Sequence, residues 1–257
     1  MYVIAVTNQK GGVGKTTTAT ALVTGLTRKG YKVLLVDTDP QCNSTDTFRA
    51  LVHNQATLYD VLVAGDPIQE AIQHTEIGDI VAGDPLLADA EQKITEQGRE
   101  YRLKEAMDAL DADAYDICVI DTPPDLGILL TNALTAAHGC IIPVSTDRYA
   151  MAGLSQLAQS IARVRKYSNR DLKIDGLLIV MDEPRTKLSK EIKESVPEIC
   201  EKLGTRCFET TIRKAQAVKD AQKSRLSLFT YAPECNAALD YEAFIDEFLK
   251  ETMKEGI

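Results

Sequence analysis

The chain has 257 residues, 44% of them hydrophobic and 26% charged, with a net charge of −9. That length holds a sizeable core without disulfide or metal staples, and the composition is that of an ordinary globular protein. No apolar run approaches the ~18 residues that a membrane span needs, and six scattered cysteines without a CxxC pair read as reduced, mostly buried thiols.

The acidic balance by itself argues against nucleic acid, but the charge is unevenly spread. Residues 160–230 hold 16 Lys and Arg against 10 Asp and Glu, leaving 13 basic against 28 acidic residues elsewhere. A local basic face can bind phosphate backbones even on an acidic protein.

In chain order, Met1–Thr7 has no basic leader and reads as a strand over Val3–Thr7, not as a signal peptide. Further strands are predicted at Val33–Asp37, Ile77–Ala82, Ile117–Asp121, Cys140–Val144 and Ile174–Met181. Helices are predicted between them, at Thr16–Lys29, Pro85–Leu110, Gly127–Ala137, Met151–Tyr167, Leu188–Leu203 and Ala237–Lys254. Val33–Val36 and Ile117–Ile120 are continuous apolar runs, as in strands buried on both faces. The alternation predicts an α/β fold in three layers: a doubly wound, mostly parallel sheet with helices on both faces. Residues 40–75 are polar and read as a loop with short helices and no strong strand. No repeat or Gly/Pro/Ser-rich linker interrupts the chain, so one domain over 1–257 is expected.

The chemistry begins where the first strand ends. Asn8-Gln9-Lys10-Gly11-Gly12-Val13-Gly14-Lys15-Thr16-Thr17 opens the first helix. Gly11, Gly12 and Gly14 let the backbone curl so that its N–H groups, with those around Val13 and Thr17, face phosphate oxygens. The helix start adds its positive dipole end. Lys15 is expected at the β and γ phosphates and the Thr16 hydroxyl on Mg²⁺, which makes ATP and Mg²⁺ the expected cofactors. A generic loop of this kind has glycine at position 9; here that residue is Gln9, and a second lysine, Lys10, precedes the glycines. Asp37 and Asp39 end the second strand in Val36-Asp37-Thr38-Asp39-Pro40-Gln41. Asp121 ends the run Ile117–Ile120 and is followed by Thr122-Pro123-Pro124. Carboxylates at the carboxyl edge of a parallel sheet stand where ligands bind in such folds.

Lys10–Thr17 resembles the deviant Walker A motif of the ParA/MinD family of P-loop ATPases. Asp37–Gln41 is similar to its switch I, and Asp121–Pro124 with Leu126-Gly127 and Thr131–Leu134 to its switch II. Ile142–Val144, Tyr149–Leu154, Ile212–Lys214, Ala217, Ala221 and Tyr231–Pro233 extend the resemblance over about residues 2–250. It implies that Lys10 is a signature lysine that reaches a nucleotide across a homodimer, where buried phosphate charge needs an opposing cation. It further implies that Asp39 orients the attacking water, and that Asp37 and Asp121 serve the magnesium with Thr16. The family implies a slow ATPase that binds DNA non-specifically as an ATP dimer and is stimulated by a centromere-binding, ParB-like partner.

Within the family, the cysteines do not stand in the glycine-rich contexts that an iron–sulfur reductase requires. The last helix carries mainly acidic charge, unlike a helix that binds anionic membrane, so it reads as core. No tyrosine cluster of a bacterial kinase is present at the end of the chain. The Asp-Pro-Gln motif points to the ParA branch without an N-terminal helix-turn-helix domain, and so to a cytoplasmic protein that joins the nucleoid when ATP-bound. Arg213, Lys214, Lys219, Lys223 and Arg225 are the candidate DNA contacts, with Arg185, Lys187, Lys190 and Lys193 as a second group. The alternative is a positioning ATPase that acts on a membrane or protein complex.

Overall fold

The computed structural model describes residues 1–147 and 153–252. The first unit is strand β1 (Tyr2–Val6), the glycine loop, helix α1 (Lys15–Arg28) and strand β2 (Val33–Asp37). α1 stops at Lys29, where Gly30 turns the chain with φ +93°. Short helices α2 (Asn43–Thr47) and α3 (Ile68–Ala71), with a π-type turn at Asp60–Ala64 between them, lead to strands β3 (Ile72–His74) and β4 (Asp79–Val81). Helices α4 (Ala90–Lys93) and α5 (Arg102–Asp108) precede β5 (Ile117–Asp121). Then α6 (Ile128–Ala136), β6 (Gly139–Ser145), α7 (Leu154–Tyr167), β7 (Lys173–Val180) and α8 (Lys187–Leu203) alternate, and α9 (Gln216–Ser224), α10 (Leu228–Tyr231) and α11 (Asn236–Thr252) close the chain. The expected segment Tyr149–Ala152, and the start of the helix predicted from Met151, lie outside the described residues, as do the last residues of the helix predicted to reach Lys254.

The strands form one seven-stranded sheet in the order β3-β4-β2-β5-β1-β6-β7. Every pairing is parallel except the edge pair β3–β4. β2 and β5 are buried at every residue, as their continuous apolar runs require. The sheet separates two cores. On one face Val3, Val36, Ile120 and Ile142 pack with Leu103, Leu130, Leu157 and Ile192 of α5–α8. On the other, Ile4, Leu35, Val119 and Ile141 pack with Leu22, Leu26, Phe244 and Phe248 of α1 and α11. This is the three-layer, doubly wound α/β fold that the alternation predicts. α11 lies against α1 so closely that a Cβ on Gly25 would stand 2.2 Å from Ile245 Cδ1. Its Tyr241 hydroxyl meets that of Thr18 at 3.1 Å. The apolar face of α11 is therefore core, as the acidic charge of the helix suggests.

Three local expectations are corrected. The single helix expected over Pro85–Leu110 is broken into a 3₁₀ turn at Pro85–Asp89, α4, a second turn at Arg99–Tyr101, and α5. Gly98 at φ +83° breaks the helical run, and Asn132 of α6 holds the break by accepting from Leu103 N (3.0 Å) and donating to Arg99 O (2.9 Å). Residues 40–75 contain a strand after all: β3 pairs only because β4 offers it an edge, which local pattern cannot reveal. Between α8 and α11, α9 and α10 appear where no helix is predicted; α10 is a single turn, and α9, at nine residues, fully buries only Ala221.

Candidate nucleotide site

β1 runs to β2, two places to one side, whereas β6 lies on the other side of β1. Loops that leave β1, β2 and β5 therefore diverge at the carboxyl edge and open a crevice there. A cavity of about 440 Å³ occupies it, lined by Gly11, Gly12, Gly14, Lys15, Thr16, Thr17, Asp39, Gln41, Pro124, Met181 and Gln222 among others. A larger cavity of about 620 Å³ lies at the opposite, amino edge of the sheet, beside Met1, His138 and Lys173; the His138 and Asn169 side chains that line it are hydrogen-bonded to the fold.

The glycine loop has the backbone that the motif demands. Gly12 (φ +74°) and Gly14 (φ +80°) are left-handed, and a Cβ on Gly11 or Gly12 would meet only open space. Gly14 ends the loop and accepts from Thr18 N at 2.9 Å, so α1 begins with its free N–H groups toward the cavity. Lys15 is buried, and its ammonium donates to Lys10 O at 3.3 Å. Burial lowers its pKa, against the pull of Asp121, Asp39 and Asp125.

Asp37 and Asp121 are register partners on adjacent strands, both fully buried. Desolvation pushes them up to about 6 and about 7, respectively; the Asp39 charge raises Asp37 further, and Asp37 and Asp39 together raise Asp121. Their surroundings differ. Asp37 Oδ1 accepts from Asp39 N (3.1 Å), and Oδ2 from Thr45 N (2.8 Å) and Thr45 Oγ1 (2.7 Å). Asp37 thus ties the switch segment to the sheet, and both its oxygens are occupied. Asp121 Oδ2 accepts from Ser44 Oγ at 2.7 Å, whereas Oδ1 is buried with no partner. The Thr16 hydroxyl lies near enough to lower the Asp121 pKa. A hydroxyl and an orphaned carboxylate oxygen beside a second buried carboxylate suit a hydrated divalent cation. Asp39 is buried, accepts from Gln41 N at 2.9 Å, and is raised chiefly by burial while Lys15 opposes the rise.

Lys10 sits at the rim with its ammonium on the Asp147 carboxylate, which also accepts from Ser145 Oγ at 2.6 Å. A reach across a dimer requires Lys10 to leave Asp147. The candidate DNA residues do not form one free basic patch. Arg213 is held by Asp240 (2.7 Å), Lys214 by Glu183 (2.7 Å) and Arg225 by Asp46 (2.6 Å). Lys219 and Lys223, exposed on α9, have no acidic partner within ion-pair distance among the described residues. In the second group, Lys193 is taken by buried Asp182 and Lys187 reaches Glu191 at 3.5 Å. Val13, a phosphate-loop candidate, is buried and supports the loop from beneath. Ser44, Thr45, Asp147 and Gln222 carry no sequence signal of their own; each reaches the site from a distant or irregular segment.

The left-handed glycines, the buried lysine and the free strand-tip carboxylate oxygen define a P-loop nucleoside-triphosphate-binding protein. Residues 1–174 match a family described as an AAA domain. The sporulation initiation inhibitor protein Soj of Bacillus subtilis (strain 168) is 37% identical over 260 residues, covering 99% of both chains. The chromosome partitioning protein ParA of Caulobacter vibrioides (strain NA1000 / CB15N) is 36% identical over 246 residues, covering 94% of this chain and 91% of that one. Among solved structures, cobyrinic acid a,c-diamide synthase from Mycobacterium smegmatis, with bound ADP and magnesium, superposes with a TM-score of 0.85 at 31% identity, covering 100% and 97% of the two chains. The chain belongs to the ParA/Soj branch of the ParA/MinD family.

Proposed function

We propose that this chain is an ATP-driven partition switch: it binds ATP with Mg²⁺, pairs with a second copy around the nucleotide, holds DNA non-specifically in that state, and releases it on hydrolysis. The observation that carries the reading is the free Oδ1 of Asp121 beside Lys15 and the left-handed glycine loop, in a chain that aligns end to end with partition proteins. Partition relatives 36–37% identical cover 94–99% of this chain, so the amidation named for the Mycobacterium protein is not carried over.

In this mechanism the loop amides from Gly11 to Thr17 and the Lys15 ammonium bind the phosphate oxygens. Thr16 and Asp121 would hold magnesium. When bound, magnesium offsets charge that builds on the transferred phosphoryl group. Asp39, fixed by the Gln41 amide, orients the attacking water. Asp37 keeps the switch segment on the sheet through Thr45 and so keeps Asp39 in place. Lys10 leaves Asp147 for the nucleotide of the other subunit, where a cation offsets phosphate charge in a water-poor interface. Lys219 and Lys223 supply the first DNA phosphate contacts, and a partner that binds the centromere accelerates turnover. The chain works in the cytoplasm and joins the nucleoid in the ATP state; no helix among the described residues is long and apolar enough to cross a membrane.

The test is light scattering after gel filtration with MgATP, with ADP and without nucleotide, each with and without DNA. A dimer with MgATP alone, and DNA co-elution only with that dimer, is expected; Lys15→Ala should remain a monomer throughout. A Lys15→Ala protein that still dimerises with MgATP refutes the reading. Dimers that ignore DNA would instead favour action on a membrane or protein complex.

A further inference from the structure

We infer that Gln222 is a positioning residue that transmits nucleotide occupancy of the glycine loop to α9, through its contact with Thr17. The inference deepens the proposed function and rests on it for the meaning of α9, but not for the contact itself.

Gln222 is exposed on the last turn of α9, yet its Nε2 donates to Thr17 Oγ1 at 3.0 Å, across 205 residues of chain. Thr17 and Gln222 line the same cavity. A triphosphate oxygen that enters that cavity can accept the single hydrogen of the Thr17 hydroxyl while Gln222 still donates to the hydroxyl oxygen, which fixes the hydroxyl and completes a mutually polarised Gln222–Thr17–phosphate chain. Filling the site therefore strengthens the hold of Thr17 on Gln222, and Gln222 is the side chain that registers it.

The geometry of α9 turns that registration into movement of charge. Lys219 and Lys223 stand three residues before and one after Gln222, so any shift of the last turn carries both ammonium groups. The same turn has a second tie to the switch segment. Arg225, left-handed at φ +51°, pairs with Asp46 of α2 at 2.6 Å, and Arg49 donates to Ser224 O at 3.4 Å. Asp46 too lines the cavity. α9 is thus hung on the nucleotide site at two points: the glycine loop through Gln222, and the residues after Asp39 through Arg225. Its remaining packing is light, since Ala221 is its one fully buried side chain.

Hydrogen exchange over residues 216–225, measured with and without saturating MgATP, tests the inference in wild type, Gln222→Leu and Asp46→Asn. Calorimetry in parallel confirms that each variant is saturated. A neutral hydrogen bond biases an equilibrium by about two- to tenfold, so exchange in wild type should change by that factor on nucleotide binding. Gln222→Leu should bind nucleotide and lose most of that change, and Asp46→Asn should lose part of it. An equal response in wild type and Gln222→Leu overturns the inference. So does no response in wild type, or a Gln222→Leu protein whose exchange is raised by the same factor in both states, which is what a merely structural contact gives. DNA binding is a separate arm: Lys219→Ala should weaken it in every nucleotide state, whereas Gln222→Leu should reduce only the difference between states. Intact exchange coupling without any DNA binding would fault the functional reading and leave the role of Gln222 standing.

Discussion

Asp175 offers a prediction whose size follows from the structure. Between β6 and β7 the register jumps: Cys140 pairs with Ile174 and Ile141 with Gly176, so Asp175 is the extra residue of a bulge. Its side chain folds over Gly139, where a Cβ would stand 2.2 Å from Oδ2. Oδ1 accepts from the Tyr2 hydroxyl at 3.1 Å, but Oδ2 is buried without a partner. Burial raises the carboxyl to about 6, against the lowering effects of Tyr2, Arg206 and Lys173. Because the folded value lies above the unfolded one, the folded state holds the extra proton, and stability is lost as pH climbs from about 4 to about 6. At about 1.4 kcal/mol for each unit, the whole penalty above pH 7 is roughly 3 kcal/mol, about half of which develops between pH 5 and pH 8. Asp175→Asn carries no charge, so its stability relative to wild type should rise by roughly 1–1.5 kcal/mol between those two pH values. The comparison cancels any pH-independent cost of the amide. Urea denaturation at pH 5 and pH 8, followed by circular dichroism, measures it. A difference between variant and wild type that stays flat across that range, or that moves in favour of wild type, refutes the argument.

Three further outcomes are expected. Asp121→Asn should fold, since Ser44 can still donate to the amide oxygen, yet lose the rise in melting temperature that MgATP gives wild type; a differential scanning fluorimetry shift equal to wild type would contradict the cation role. Thr45→Val should destabilise by about 1–3 kcal/mol, because Thr45 Oγ1 donates to Asp37 and accepts from Gly83 N at 2.8 Å in a buried site; chemical denaturation reads this directly, and a neutral result would show that Asp37 does not organise the switch segment. Phe244→Ala should cost about 3–5 kcal/mol, since the ring is fully buried edge-on to Phe208 with centroids 4.9 Å apart. A variant as stable as wild type would mean that α11 is not part of the core.

Much of the site was legible in the sequence because its signals are local. The turn at Gly12–Gly14 and the helix that starts at Lys15 need only glycine freedom and nearest-neighbour geometry. The carboxylates Asp37 and Asp121 close apolar runs whose burial the runs themselves announce. The pattern is weakest where pairing across the chain decides the outcome. Pro85–Leu110 has the composition of one helix, but Gly98 breaks it and Asn132, from α6, makes the break favourable. β3 exists only because β4 has an open edge.

The roles of individual charges lay further still from the sequence. Asp37 and Asp121 read alike at the ends of two strands. Thr45 and the Asp39 amide take up the two oxygens of one, and Ser44 leaves one oxygen of the other free, which is the difference on which the proposed organiser and cation partner rest. Lys10 and Lys15 share one motif, yet one is buried among carboxylates and the other is held at the rim by Asp147. Arg213 and Arg225 belong to the basic stretch by count, but Asp240 and Asp46 occupy them, while Lys219 and Lys223 meet no acid within ion-pair distance among the described residues. Glycine placement and apolar period act through covalent neighbours and are therefore written along the chain. Which acid meets which base depends on residues brought together from as far apart as Thr17 and Gln222, and only the packed sheet and its helices bring them within reach.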